Sequence, residues 1–410
     1  MGTVPSVDDH LTRVLAMARP RIQRDVPLSD CVGQVLAADV AARLPVPPFS
    51  NSAVDGFVAH EEDLSGEGPW ALPVAGEIPA GHEAINCPPG HAVRIMTGAP
   101  VPPQECLHIV PVEQTNIPRG PHPLPDEVQI HTADLGRSHI RHAGENVGIG
   151  DVVARKGTRI DAGTLAALVA TGVRTVDVFE RPTVAVVSTG DELVAWPGGI
   201  HGAQIPDSNL PMVATLLRES GYANVITMHA DDDTHSTEAL LQRAAEQADI
   251  VVTTGGVSAG AYDVVRAITE SDPDMWFGHV AQRPGSPQGV GRWSGAAFIC
   301  LPGNPVAAFV SCALYAIPLL RASAGDNTRC TVDERATVMA DVDTHFPAPR
   351  AERHVFVPVR LRAERGAVRA EAFAGGHGGS GFVASLPAVD GLAVLVPGTD
   401  APARVPVILF

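Results

Sequence analysis

The chain has 410 residues, 45% of them hydrophobic and 18% charged, so it is long enough for several cores and too apolar to be disordered. A net charge of -17 opposes binding to nucleic acid or to an anionic membrane surface. Six cysteines without a CxxC pair and sixteen histidines without an HExxH motif give no spacing that reads as a zinc site or a disulfide framework.

Residues 6–19 are expected to form the first helix, with Ser6 as its cap, Asp9 three residues on, and Pro20 as its stop. The stretch 43–143 is rich in Pro and Gly with short apolar runs such as 92–96 and 108–112, and reads as a β-rich insertion. Glycines 144, 148, 150 and 157 punctuate the next segment, and 163–172 reads as a short helix. From 183 to 320 strands and helices alternate: strands at 183–189, 224–229, 250–254 and 297–301, helices at 209–220, 236–248 and 305–320. That alternation implies a wound, mostly parallel α/β sheet with its ligand site at the strand ends. The tail, 331–410, has short Val-rich strands and reads as a small β domain. The N-terminus lacks a basic-then-apolar signal and no span of 18 apolar residues is read, so a cytoplasmic protein is expected.

Four loops of small residues are read as following strand ends in the α/β region: 188–193 (STGDEL), 255–263 (GGVSAGAYD), 283–287 (RPGSP) and 301–305 (LPGNP). Glycine there permits close approach of a ligand to the backbone. Asn304 can cap the last helix and Pro305 suits its first position, which makes an anion-binding helix start. Acidic residues gather in the same region: Asp191, Glu192, Asp207, Asp231, Asp232, Asp233 and Asp263. Carboxylates at strand ends suit a hard divalent cation bridging to phosphate. Lys156 is the only lysine, so an anion must be held by Arg, backbone amides or helix ends. No Walker A motif occurs.

Two further motifs, 47–57 (PPFSNSAVDGF) and 94–100 (RIMTGAP), lie in the β-rich stretch and by themselves read as turns. Taken in order with STGDEL, Asp207-Ser208-Asn209, TTGGVSAGAYD, RPGSP and LPGNPVAA, they resemble the MoeA family and the E domain of gephyrin from about residue 40 to 320. The resemblance implies four parts in a subunit that dimerises. A discontinuous linker domain would span 1–42 with 144–180 and the β-rich insertion 43–143. A MogA-like α/β domain that holds molybdopterin would span 181–326, and a small β-barrel-like domain 327–410.

It also implies a reaction, insertion of molybdate into molybdopterin through its adenylate, assisted by Mg²⁺. Carried over position by position, the catalytic residues would be Asp55, Glu192, Asp232 and Asp263, with Asp191, Glu192 and Asp232 toward the metal. Molybdopterin would meet Thr97, Gly98, Ser188, Thr189, Gly190, Asp207, Ser208, Asn209, Gly255, Gly256, Ser258, Arg283, Gly285, Pro302, Gly303 and Asn304. Asp55 would reach the site of the partner subunit. The chain departs from the family pattern at Asn146 where an acid is usual, at Ser286 and Arg283 in a loop that usually reads KPGKP, and at Arg266 in place of a lysine. Ser286 supplies no charge and Asn146 no carboxylate, so weaker anion or metal handling is expected. The alternative implied by the same fold is a gephyrin-like dimeric scaffold that binds a membrane-receptor tail or a cytoskeletal protein. A MogA-type adenylyltransferase is expected as a partner and is ranked low as an identity, since it would not need the flanking domains.

Overall fold

The computed structural model describes residues 4–230, 233–257, 263–328, 330–343, 346–364, 366–373, 381–400 and 402–410. The first helix, Val7–Leu15, starts as its sequence dictates. Ser6 Oγ accepts the Asp9 N–H at 3.1 Å, and Asp9 in turn accepts the Ser6 N–H at 3.1 Å. It stops four residues short of the expected 19. The N–H groups of Met17 and Ala18 bond three residues back, to Val14 and Leu15, so the chain tightens out of the α-helix before Pro20.

The β-rich stretch forms a five-stranded sheet in the order Leu107–Pro111, Gly56–His60, Ala92–Ile95, Trp70–Ile78, Glu127–Ile130. Gly56 sits where two strands touch closely. A Cβ there would lie 2.0 Å from the Val110 carbonyl oxygen. Strand Ile22–Pro27 pairs with Thr175–Phe179, and Val40–Ala41 with Val152–Ala154. Residues on either side of the β-rich stretch therefore share one core, built from Leu28, Leu36, Ile160, Leu168 and Val178.

The central sheet runs Asn224–Ala230, Thr183–Thr189, Ile250–Thr254, Ala296–Leu301, Pro287–Trp293, Met275–His279. The first four strands are parallel; the last two are antiparallel, so the sheet is mixed. After Thr183–Thr189 the chain lays its next strand on one side, at 224, and the following one on the other, at 250. The order reverses there, which opens a crevice at the strand ends. Val184, Val186 and Val252 face one core with the helix Asn209–Ser220, while Ala185, Val187 and Val251 face another with Thr234–Gln247. Both faces are covered, which is why these strands read as unbroken apolar runs.

Pro305–Ser323 is long and apolar enough to cross a membrane by length and composition, but 89% of it is buried inside the protein, so it serves as a core helix. Its middle, Cys312–Ala316, is a π-turn. The Arg335 guanidinium donates to the Ala313 and Leu314 carbonyls at 3.0 and 2.8 Å, which answers the carbonyls that a π-turn displaces. In the tail, strands His354–Glu364, Ala367–Ala372, Thr337–Asp341, Arg404–Leu409 and Gly391–Leu395 pair in that order, and the last pairs back with the first. Five cysteines are buried and Cys106 is exposed; all are free thiols.

Candidate functional site

A cleft of about 640 Å³ opens at the ends of the parallel strands. Two adjacent strands end at its floor, on Thr189 and Thr254. Each strand is followed by glycine. Gly190 has φ +146°, and a Cβ there would lie 2.7 Å from Glu192 Oε2, so glycine lets that carboxylate fold back toward the strand end. Gly255 has φ +93° and a Cβ would come within 3.2 Å of the Thr189 carbonyl oxygen, so the two strand ends approach closely only with glycine there.

The opposite wall is the start of helix Asn209–Ser220. Asp207 Oδ1 accepts the Leu210 N–H at 3.0 Å, so Asp207 holds the first turn and Ser208 makes no cap bond. Asn209 Nδ2 donates to the Gly303 carbonyl at 2.6 Å, which ties this wall to the Pro302–Pro305 loop. Asn304 occupies the N-cap position of Pro305–Ser311, but its side chain makes no cap bond, contrary to expectation; Pro305 is at the first helical position as expected. Behind the wall, Ser188 Oγ lies 3.0 Å from His229 Nδ1, and that nitrogen lies 3.9 Å from Asp207 Oδ2.

The cleft brings together most of the residues singled out from sequence. Thr189, Gly190, Glu192, Asp207, Ser208, Asn209, Gly255, Gly256, Asp263, Gly285, Pro302, Gly303 and Asn304 all line it. Others stand apart. Ser188 is wholly buried behind the floor, spent on His229. Asp191 is exposed and not on the lining. Asp232 and Ser258 lie outside the described residues, as does Asp231. Asp233 caps Thr234–Gln247 by accepting the Ser236 N–H at 2.8 Å, a bond that lowers its carboxyl pKa.

The RPGSP loop departs from its expected place. It precedes an antiparallel strand, Pro287–Trp293, and Arg283 belongs to a short strand paired with the tail, exposed and off the lining. Only Gly285 and Pro287 of the loop face the cleft. The loop is held from beneath: Gln288 Nε2 donates to the Gly285 carbonyl and to Ser311 Oγ, both at 2.7 Å. Ser286 Oγ donates to the Val280 carbonyl at 2.9 Å. Arg266 pairs with Glu270 at 2.7 Å and lies over the Phe277 ring.

Asp55, Thr97 and Gly98 gather in the β-rich sheet, away from the cleft lining. Asp55 Oδ1 accepts from the Thr97 N–H at 2.7 Å and from Thr97 Oγ1 at 2.9 Å. Asn146 is exposed and donates its backbone N–H to the Val46 carbonyl at 3.0 Å. Sequence reasoning missed Thr254, Val257, Ile205, Pro206 and His229. Thr254 had a signal, as the polar last residue of an apolar strand run. Ile205–Pro206 is a two-residue strand paired with Leu193–Val194 and had none.

The charge of the cleft is one-sided. Glu192, Asp207 and Asp263 line it, and among the described residues no Lys, Arg or His does. An anion cannot settle beside three carboxylates on side-chain charge alone. It needs backbone N–H groups or a bound cation.

Comparison with known proteins gives this site its context. Residues 5–172 match the model of the MoeA N-terminal region (domain I and II), and residues 185–322 that of a probable molybdopterin binding domain. Molybdopterin molybdenumtransferase 2 of Mycobacterium tuberculosis is 41% identical over 330 residues, 78% of this chain and 80% of that protein. The molybdopterin molybdenumtransferase of Staphylococcus epidermidis is 29% identical over 405 residues, 96% of this chain and 92% of that protein. Two structures of the molybdopterin biosynthesis MoeA protein from Pyrococcus horikoshii share the fold, with TM-scores of 0.77 and 0.78 and identities of 27% and 24%. They cover 99% and 100% of both chains.

Proposed function

The chain belongs to the MoeA family of molybdopterin molybdenumtransferases and acts in molybdenum-cofactor biosynthesis, and on that premise we propose that the acidic cleft is its catalytic centre. Molybdopterin adenylate and molybdate are the substrates in this reading. The observation that carries it is the lining: three carboxylates and glycine-rich strand ends, with no basic side chain among the described residues. Such a site handles phosphate through a cation and backbone amides.

Glu192 and Asp263 are the carboxylates offered to Mg²⁺. Among the described residues no three metal-binding side chains cluster, so substrate oxygens, and Asp232 outside the described set, would complete the shell. The ion, when bound, offsets phosphate charge as AMP leaves. The chain itself does the rest. Gly255 and Gly256 bring backbone close to the ligand, and the Pro302–Pro305 loop closes the far wall, held by Asn209. Arg283 plays no part in this reading, since its strand pairs with the tail.

The second surface, Asp55 with Thr97 and Gly98, would complete the cleft of a partner subunit in a homodimer. The region spanning 1–42 with 144–180 is read as the linker and dimerisation domain, and 327–410 as the barrel-like tail. Exposed Ile149 and Val169, 71% and 59% accessible, support the dimerisation reading of the 144–180 part. A MogA-type adenylyltransferase would supply the adenylate.

Purified protein given molybdopterin adenylate, molybdate and Mg²⁺ should release AMP and load apo-nitrate reductase, and a chelator should stop both. Absence of AMP release from folded protein would overturn the assignment.

A further inference from the structure

The 283–287 loop rests on a polar frame: Gln282, Gln288 and Ser311 are each 0% exposed. Gln282 Nε2 donates to the Pro284 carbonyl at 2.9 Å and reaches Ser311 Oγ at 3.4 Å, and Gln282 Oε1 accepts from the Tyr315 hydroxyl. Gln288 Nε2 donates to the Gly285 carbonyl and to Ser311 Oγ. Two buried amides thus take two successive loop carbonyls, and one helix hydroxyl ties the amides together. Gly285 fits against this frame only as glycine. Its φ is +80°, and a Cβ would lie 2.8 Å from Ser311 Oγ and 3.2 Å from Gln282 Nε2.

The frame is an unfavourable way to fill a core. Gln288 Oε1 is buried with no partner among the described residues, and an apolar side chain of the same length would leave no such atom. Departures of this kind are expected where a site has to be held in place. Here the frame joins two parts of the cleft. Gly285 and Pro287 line it from the loop, and Ser311 ends the helix whose start, with the Pro302–Pro305 loop, also lines it.

We propose that Gln282 and Gln288 are positioning residues for molybdenum insertion. They turn the Pro284 and Gly285 carbonyls into the protein, so that the loop meets an anionic substrate with peptide N–H groups rather than carbonyl oxygens. Across a trans peptide the N–H opposes the C=O. The Gly285 and Ser286 N–H groups therefore point away from the glutamines, and neither meets a protein acceptor among the described residues. Keeping two carbonyl dipoles out of a cleft lined by three carboxylates makes it less repulsive to an anion. Ser286 supplies no charge, so the orientation of these peptides is what the loop can offer. The inference rests on the reading of the cleft as the catalytic centre.

The test is steady-state kinetics on the full-length protein with molybdopterin adenylate, molybdate and Mg²⁺, following AMP release. Gln288→Met keeps the length of the side chain and removes both its donor and its unmet oxygen. Its melting temperature should equal or exceed that of the wild type, while kcat/KM for at least one of the two anionic substrates falls by about ten- to a hundredfold. Gln282→Met should show the same kinetic loss with a lower melting temperature, because the Tyr315 hydroxyl then lacks its acceptor. Ser311→Ala withdraws the oxygen that the two amides share and should lower kcat/KM by about fivefold.

Values of kcat/KM within about threefold of the wild type in folded Gln288→Met and Gln282→Met would overturn the proposal, as would a loss in Gln288→Met that only follows a lower melting temperature. If neither glutamine variant folds, Ser311→Ala decides. If the wild type itself releases no AMP, the reading of the cleft fails separately. Calorimetric titration of the wild type and Gln288→Met with AMP and with molybdate then decides the positioning role: weaker binding in the variant supports it, and equal binding or none overturns it.

Discussion

The cleft and the Asp55 surface both carry aspartates in glycine-containing loops, yet they hold them in opposite states. Asp55 is exposed, and one of its oxygens takes two bonds from Thr97. Asp207 is buried, and one of its oxygens takes none among the described residues. The first carboxylate is organised by its own loop and can work at a surface that another molecule covers. The second is organised at one end only, by the Leu210 N–H. Burial without a partner, rather than the presence of acid, separates a built pocket from an ordered turn.

The sharpest way to break that contrast is at the cleft acids. Glu192→Ala or Asp263→Ala should lower molybdenum insertion by on the order of a hundredfold while the melting temperature holds, measured by AMP release and by calorimetry. Normal turnover in both would remove the chemistry from the cleft. Gly56→Ala probes the other region through its fold. A Cβ 2.0 Å from a carbonyl forces strand Gly56–His60 away from Leu107–Pro111, and a loss of about 3 kcal/mol or more is expected in urea unfolding. Gly98→Ala is the milder partner: φ is +80° but no atom lies within 4 Å, so the cost should be only about 1 kcal/mol.

A smaller effect comes from pH. His10 is 1% exposed between Trp276 and Tyr315, and burial, with Arg13 nearby, lowers its pKa from 6.5 to about 3. The unfolded chain takes up this proton first as pH falls. His10 therefore costs no stability above pH 6.5, and stability declines from there as pH drops toward about 3. His10→Phe should flatten that slope in thermal melts between about pH 7 and pH 4, and an unchanged slope would show that other groups set it.

Much of this architecture was legible in the residues. The apolar runs 183–189 and 250–254, and the helix 209–220, have the bounds that their patterns specify. Their signals are local: period, cap and terminating glycine. The two antiparallel strands at one end of the sheet were not legible; Pro287–Trp293 opens on a proline and carries Gln288, Arg292 and two glycines, which together resemble a loop. The end of the first helix was misjudged for a related reason, since hydrophobic spacing continues past the point where the backbone tightens. In the site, the glycine loops and the acids announced themselves by type. Arg283 misled, because its strand partner, Val355, lies far along the chain in the tail, and no local pattern records that pairing. His229 was invisible as a site residue because it looks like an ordinary strand position until the sheet sets it beside Ser188, behind the crevice.

The account stands most directly on genetic complementation. A bacterial strain lacking its own MoeA would receive the wild-type chain or the Glu192→Ala variant, with nitrate reductase activity read at low molybdate. Restoration by the wild type and not by Glu192→Ala, at equal protein levels, is the predicted result. Equal restoration by both, or none by a soluble wild type, would contradict the placement of molybdenum insertion in this cleft.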